Sequence, residues 1–307
     1  MYTRRAVVLS KIESNYGVDP TPVPASNAVL TSVPDIKFIA EKHERDFVRQ
    51  TLSPMSHVVG ARNVEISFDV ELKGSGAAGT PPPFGPLLRA CGLAETIEAG
   101  VSVAYSPASA SFESCTIYYH KHNLLNKVIG CRGTVDLELV CGKYGVLKFA
   151  MKGIYASPID TNIPSSVTYN STLPPVVLGA TLTIGGYTPV ATKVELGLKN
   201  EVVVRQDITQ STGVASIEII GRKPAGSIDP EAVTIATKDF WSEWLAGTLQ
   251  ALNCMVGDTA GNIVTIAAPK CQYTDVGYSD KGGTVALSIP FDLKANAGDD
   301  ELSITFT

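Results

Sequence analysis

Gly133-Thr134-Val135-Asp136-Leu137-Glu138-Leu139 reads GTVDLEL, and Gly283-Thr284-Val285-Ala286-Leu287-Ser288-Ile289 reads GTVALSI, with apolar side chains at every second position of both. A second pair lies upstream. Phe47-Val48-Arg49-Gln50 corresponds to Val203-Val204-Arg205-Gln206, and each is followed by a strand-like run, Val64-Glu65-Ile66 in one half and Ile217-Glu218-Ile219 in the other. The spacings are close, since 205 − 49 = 156 and 283 − 133 = 150. Self-similarity of this kind predicts two copies of one domain. The boundary falls where proline and small polar residues concentrate, from Ser157 to Pro175. The expected division is a first domain over 1–160, a linker over 161–175 and a second domain over 176–307.

Strand patterns dominate both halves. Val64 to Leu72 alternates strictly, with Val64, Ile66, Phe68, Val70 and Leu72 on one face and Glu65, Ser67, Asp69 and Glu71 on the other, the signature of a half-buried antiparallel strand. The same period runs through Val135 to Leu139 and Leu147 to Met151, then through Val285 to Ile289 and Leu302 to Phe306. Each half is therefore expected to end on a strand hairpin, turning at Cys141–Gly145 and at Asn296–Asp300, where glycines supply positive φ. One short helix per half is expected. Phe84 to Gly92 follows three prolines and stops on a glycine; Thr237 to Gly247 has cap candidates at Thr237 and Asp239 and the same terminal glycine. Many strands with a single helix per half predict a mainly β chain of two homologous antiparallel β-sandwich or barrel domains.

At 307 residues, with 44% hydrophobic and 18% charged side chains, the chain can bury two cores of about 150 residues each. A net charge of −5 leaves no overall basic excess to neutralise a run of phosphates, so ordinary nucleic-acid binding is disfavoured. The apolar stretch Ala6–Leu9 meets Lys11 and Glu13 before a signal-peptide core is complete, and no apolar run reaches the roughly 18 residues of a membrane span. The cysteines Cys91, Cys115, Cys131, Cys141, Cys254 and Cys271 form no CxxC pair and are expected as reduced, mostly buried thiols.

Candidate sites for chemistry are sparse. His120 and His122 share one side of a strand but lack a third metal ligand. Asp299-Asp300-Glu301 reads as a solvated turn and not as a calcium loop. Gly74-Ser75-Gly76-Ala77-Ala78-Gly79 has no following Lys-Ser/Thr and reads as a flexible linker rather than a phosphate cradle. Trp241 and Trp244, with Phe240, could stack on sugars if exposed. The first helix presents Phe84, Leu87 and Leu88 in the corresponding segment, so the aromatics of the second are expected to anchor it to its sheet. No nucleophile elbow or triad spacing occurs, so no enzyme, cofactor or metal is expected. The segment Thr51–Asn63, longer than its counterpart Asp207–Ala215, mixes Met55, Val58 and Val59 with His57 and Arg62 in an unpaired connection, which suggests apolar surface buried on assembly. The amino-terminal arm, residues 1–25, and the linker are further candidates for the same role.

Several ordered blocks resemble the tail tube (major tail) protein family of tailed bacteriophages. They are Arg4–Leu9 leading to Ile12–Pro22, Gly74–Thr80 with Phe84–Gly92, and Gly130–Val135 closing on Gly153–Pro158. The resemblance covers most of the chain. It implies a structural virion protein without catalytic residues, assembled in the host bacterial cytoplasm and resident in the tail, whose sheets join edge to edge into rings that stack around a channel for DNA. It also implies other tail proteins as partners: tape measure, tail terminator, and baseplate or tip proteins. Family rings are six single-domain chains, so a doubled domain implies a homotrimer with six quasi-equivalent domains. A carbohydrate-binding or adhesin-like β-sandwich is the alternative. Unpaired sheet edges must be covered, charged or paired, and pairing with a neighbour builds a ring. Under that reading Glu65, Asp69, Glu71, Asp136 and Glu138 are candidates to line the bore and repel phosphates.

Overall fold

The alternation over 64–72 becomes the inner part of a 14-residue strand, Val58–Glu71, with Val64, Ile66, Phe68 and Val70 buried. The computed structural model describes residues 5–307; strands take 51% of the chain and helix 4%, so the fold is mainly β as expected. In the first half the elements are β1 (Ala6–Ile12), β2 (Ala28–Val29), β3 (Asp35–His43), β4 (Val58–Glu71), α1 (Gly85–Ala90), β5 (Leu93–Glu98), β6 (Ser102–Pro107), β7 (Cys115–Lys121), β8 (Leu124–Val140), β9 (Val146–Tyr155) and β10 (Ile159–Asp160). The second half continues with β11 (Thr181–Ile184), β12 (Ala191–Gly197), β13 (Asn200–Gln206), β14 (Val214–Arg222), β15 (Ala225–Pro230), α2 (Phe240–Leu245), β16 (Leu249–Val256), β17 (Val264–Tyr273), β18 (Gly277–Lys281), β19 (Thr284–Leu293) and β20 (Ser303–Phe306). Both helices sit where expected. Asp239 caps α2 by accepting from the Ser242 amide, and Gly92 and Gly247 end the two helices at φ +80 and +63.

Strand order is the same in the two halves. The first runs β3-β4-β9-β8-β7-β1, and the second runs β12-β15-β19-β17-β16-β11, all antiparallel. Registers repeat as well. Asp35 faces Ser67 and Ala40 faces Arg62; Glu195 faces Ser227 and Asn200 faces Arg222, so 195 − 35 = 160 and 222 − 62 = 160. Phe68 faces Phe149 where Ile228 faces Ile289, and Arg132 faces Lys152 where Gln272 faces Asp292; there 289 − 149 = 140 and 272 − 132 = 140. One residue is added before β18: Asp136 faces Lys148 where Gly277 faces Ser288, giving 277 − 136 = 141.

These displacements correct the sequence pairing. GTVDLEL lies on β8, whereas GTVALSI lies on β19, which occupies the place of β9. Arg49 sits in the tip of the first long hairpin and Arg205 within a strand of the second. The two hairpins, 31–71 and 191–231, are equal in length, so the expected inequality between Thr51–Asn63 and Asp207–Ala215 is absent, and Val58, Val59 and Arg62 belong to β4, paired with His43, Lys42 and Ala40. The cause is the strand period. The displacements 156 and 160, like 150 and 140, differ by even numbers, and any even slip of an alternating sequence preserves its pattern.

Four other expectations change. The carboxy-terminal strand does not form a hairpin with β19: β20 pairs with β17 and with β6 of the first half, and Phe306 packs against Phe84 and Tyr105. The hairpin of that half runs from β18 to β19 through Gly282 and Gly283, both at positive φ. The amino-terminal segment is no free arm from Ala6 onward, because β1 lies between β2 and β7; residues 1–4 fall outside the described residues. Nor is Gly74–Gly79 a flexible linker. Gly76 donates to Gly261 O, Gly74 donates to Asn262 Oδ1, and a Cβ on Gly74 would stand 2.0 Å from Gly261 O, so the segment is pinned to the second half. Ile163, Val167 and Tyr169 of the Pro/Ser-rich stretch pack on Val7, Leu9 and Tyr118.

Candidate assembly surface

The polar positions of β4, β9, β8 and β12 form one continuous face, because cross-strand partners share a side of the sheet. Glu65, Lys152 and Arg132 make one row; Asp69, Lys148 and Asp136 a second; Glu71, Val146 and Glu138 a third. All five predicted acids are therefore brought together. The face is not bare acid, however. Lys152 lies 3.2 Å from Glu65, Lys73 2.9 Å from Glu71, and Lys199 2.7 Å from Asp136, while Glu138 pairs with Lys148 and, at 3.1 Å, with Lys193. Lys148, and after it Lys193, holds the Glu138 carboxyl below the usual carboxylate range. Sequence alternation showed which side these acids take; the interleaved lysines come from non-neighbouring strands and had no local signal.

That face crosses from one half to the other through a backbone junction. β12 pairs with β15 on one edge and with the end of β8 on the other, from Lys193 opposite Val140 to Gly197 opposite Asp136. Even-numbered residues of β12 turn their amide groups toward β8: Leu198 N donates to Val135 O and Thr192 O accepts from Cys141 N. Leu196 and Leu137 meet across the junction at 2% and 4% exposure. At its end a Cβ on Gly197 would fall 2.2 Å from Asp136 Oδ1, so glycine lets the two strands close.

Beyond the junction the hairpin β13–β14 lies on the first half. Arg132, 8% exposed, donates to Phe112 O, Glu113 O and Ile217 O and pairs with Glu218. The Tyr16 hydroxyl accepts from Ile217 N, Asn200 donates to Cys91 O and Gly133 O, and the Ile219 side chain borders Gly92. At the tip, Thr212 O accepts from Arg62 N. The hairpin β3–β4 has no such seat. Phe47, Val48, Leu52, Val58 and Val59 are exposed along it; His57 is exposed too, and Met55 half-buried. The Arg62 guanidinium stacks over Tyr155 at 5.6 Å and reaches Ser211 O.

The remaining candidates serve the fold. Asp299 and Glu301 hold Arg222 at 2.9 and 3.2 Å, and Asp300 accepts from the amides of Asn296, Ala297 and Gly298. His120 is buried, which pushes its pKa down, and among the described residues no group of three or more His, Cys, Asp or Glu is placed to hold a metal ion. Phe240 is fully buried, Trp244 donates to Thr274 O, and Trp241 packs against the Tyr278 ring at 5.8 Å, so the aromatics anchor α2. Cys141 is exposed and the other five thiols are buried; burial pushes Cys254 up to about 11 and Cys271 up to about 12. Among the described residues no helix is long and apolar enough to cross a membrane. A family model described as phage tail tube protein matches residues 3–306. No curated protein matches the chain.

Proposed function

The chain belongs to the phage tail tube protein family, which makes it a structural component of the virion tail, and from that premise we propose that it is the major tube subunit with its tube domain doubled. The repeated strand order and registers support the doubling. Three chains then supply six halves, and the rings they form stack into a tube through which the genome passes on ejection. The observation that carries the ring is the β8–β12 junction, in which one half extends the sheet of the other by backbone hydrogen bonds. An interface that joins unlike strands of like units is head-to-tail and closes into a ring when its rotation divides a full turn.

The salt-bridged polar face is the proposed bore wall, with Glu65, Asp69, Glu71, Asp136 and Glu138 directed at the channel. Because Lys148, Lys152, Lys193 and Lys199 are already engaged by carboxylates, few cations remain for phosphates to grip, and DNA slides. Hairpin tips form the proposed contact between stacked rings. Val58 faces away from the side that Val59 shares with its docked counterpart, and with Met55 and His57 it is placed to meet the next ring; Val59 and Arg62 serve the lateral contact. Tape measure, terminator and baseplate or tip proteins are the proposed partners at the tube's interior and ends, with assembly in the host cytoplasm.

Electron microscopy of the concentrated protein tests this reading. Stacked rings with threefold symmetry and six lobes are expected, and a chain that stays monodisperse and monomeric at every concentration would exclude it. For the bore, tubes carrying Glu65→Lys, Asp69→Lys and Glu138→Lys should retain short duplex DNA that wild-type tubes release. Equal retention would place that face on the outside.

A further inference from the structure

We propose that the junction inside the chain is the template for the junction between chains: Val33–Lys37 of one copy pairs antiparallel with Gly277–Lys281 of the next, Ile36 opposite Tyr278. The inference rests on the tube reading and specifies its lateral contact. The repeated register places it. β12 residues 193–197 correspond to 33–37 through the displacement of 160, and β8 residues 136–140 correspond to β18 residues 277–281 through 141. Within the chain the first pair of segments is joined. Its counterparts are open: among the described residues β3 pairs only with β4, and β18 only with β19. A row of unpaired backbone groups on each edge is what an incoming strand needs.

Exposure at corresponding positions separates the closed junction from the open one. Leu137 is 4% exposed and its counterpart Tyr278 is 72%; Leu198 is 1% and Phe38 is 47%; Ile219 is 7% and Val59 is 53%. Each apolar side chain covered at the internal junction has a bare counterpart at a free edge, so a second copy is the occupant that fits both edges. Close approach is provided for in both places. The internal junction sets Gly197 against Asp136; the external one sets Lys37 against Gly277, beside which a Cβ has only Ser288 O within 4 Å, at 3.8 Å. Pro34 stands where Val194 does, and as it has no N–H the external junction carries one donor fewer. Beyond the paired segment, the hairpin β3–β4 is carried onto the neighbour's α2 end, with Val59 beside Gly247 as Ile219 lies beside Gly92.

Disulfide trapping in full-length protein tests the register. Asp35 and Ser279 are opposite each other in a non-hydrogen-bonded pair, the closer of the two antiparallel pair types, with Cα atoms about 4.5 Å apart. In a Cys141→Ser background, Asp35→Cys with Ser279→Cys should give covalent multimers on oxidation, in at least tenfold excess over Val33→Cys with Gly277→Cys, which the register holds about 13 Å apart. Tyr278→Asp should leave the folded monomer unchanged and remove rings. Rings that form without the 35–279 link, or that link 33 to 277 preferentially, overturn the junction and leave the tube standing; a chain that never assembles overturns both.

Discussion

The two long hairpins, 31–71 and 191–231, have the same length and register, yet one is seated and the other is not. The second lies on the first half, where Arg132, Tyr16 and Asn200 satisfy its backbone and Ile217 and Ile219 are buried. The first projects with Phe38, Val58 and Val59 in solvent. Local sequence does not account for the difference, since both hairpins are rich in β-branched and aromatic residues. What differs is whether the neighbouring sheet belongs to the same chain. A doubled subunit closes one of its junctions during folding and leaves one donor hairpin and one acceptor edge for assembly.

Substitutions at paired positions break this comparison most strongly in the core of the seated hairpin. Leu198→Ala should lower stability by about 3 kcal/mol through the cavity it opens, against less than about 1 kcal/mol for Phe38→Ala in the isolated chain, both read by urea unfolding. Equal losses would mean that the free hairpin is seated within the chain too. Arg132→Ala should follow at about 2 kcal/mol, since it strips the carbonyls of Phe112, Glu113 and Ile217 of a charged donor. Its signature is faster amide exchange over 214–222 with β3–β4 unaffected.

The smallest effect is electrostatic. With Glu138 held below the usual carboxylate range by Lys148 and Lys193, its ionised form stabilises the fold above the unfolded-state pKa, and that contribution fades as pH falls through the folded value. Both lysines are more than a third exposed, so Glu138→Gln should lose only about 0.5 kcal/mol at pH 7 and nothing near pH 3, by denaturation at each pH. At the external junction the counterparts are Ser279, Ser288 and Val33, so ring formation should lack this acid dependence. A ring that dissociates with the titration of Glu138 would mean that its network spans chains.

Much of the molecule was legible from residues alone. Alternation at Val64–Leu72 assigned each side chain to the core or the polar face, and the prolines before Phe84 and the terminal Gly92 and Gly247 placed two short helices. The acids of the candidate bore face were found by the same alternation. Register was not legible: GTVDLEL and GTVALSI look alike on β8 and β19 because a period of two is blind to even slips. The lysines facing those acids, the crossing of β20 onto β6 and the seat of β13–β14 depend on residues far apart in the chain, which no local pattern records. Sequence by itself determined the strand faces, the helix positions and the mainly β class, because these follow from side-chain periodicity and backbone preference. Tertiary structure alone decided which strand lies beside which, and with it which edges are closed and which stay open, because backbone hydrogen bonding is indifferent to side-chain identity and takes its partner from the packing of the whole sheet.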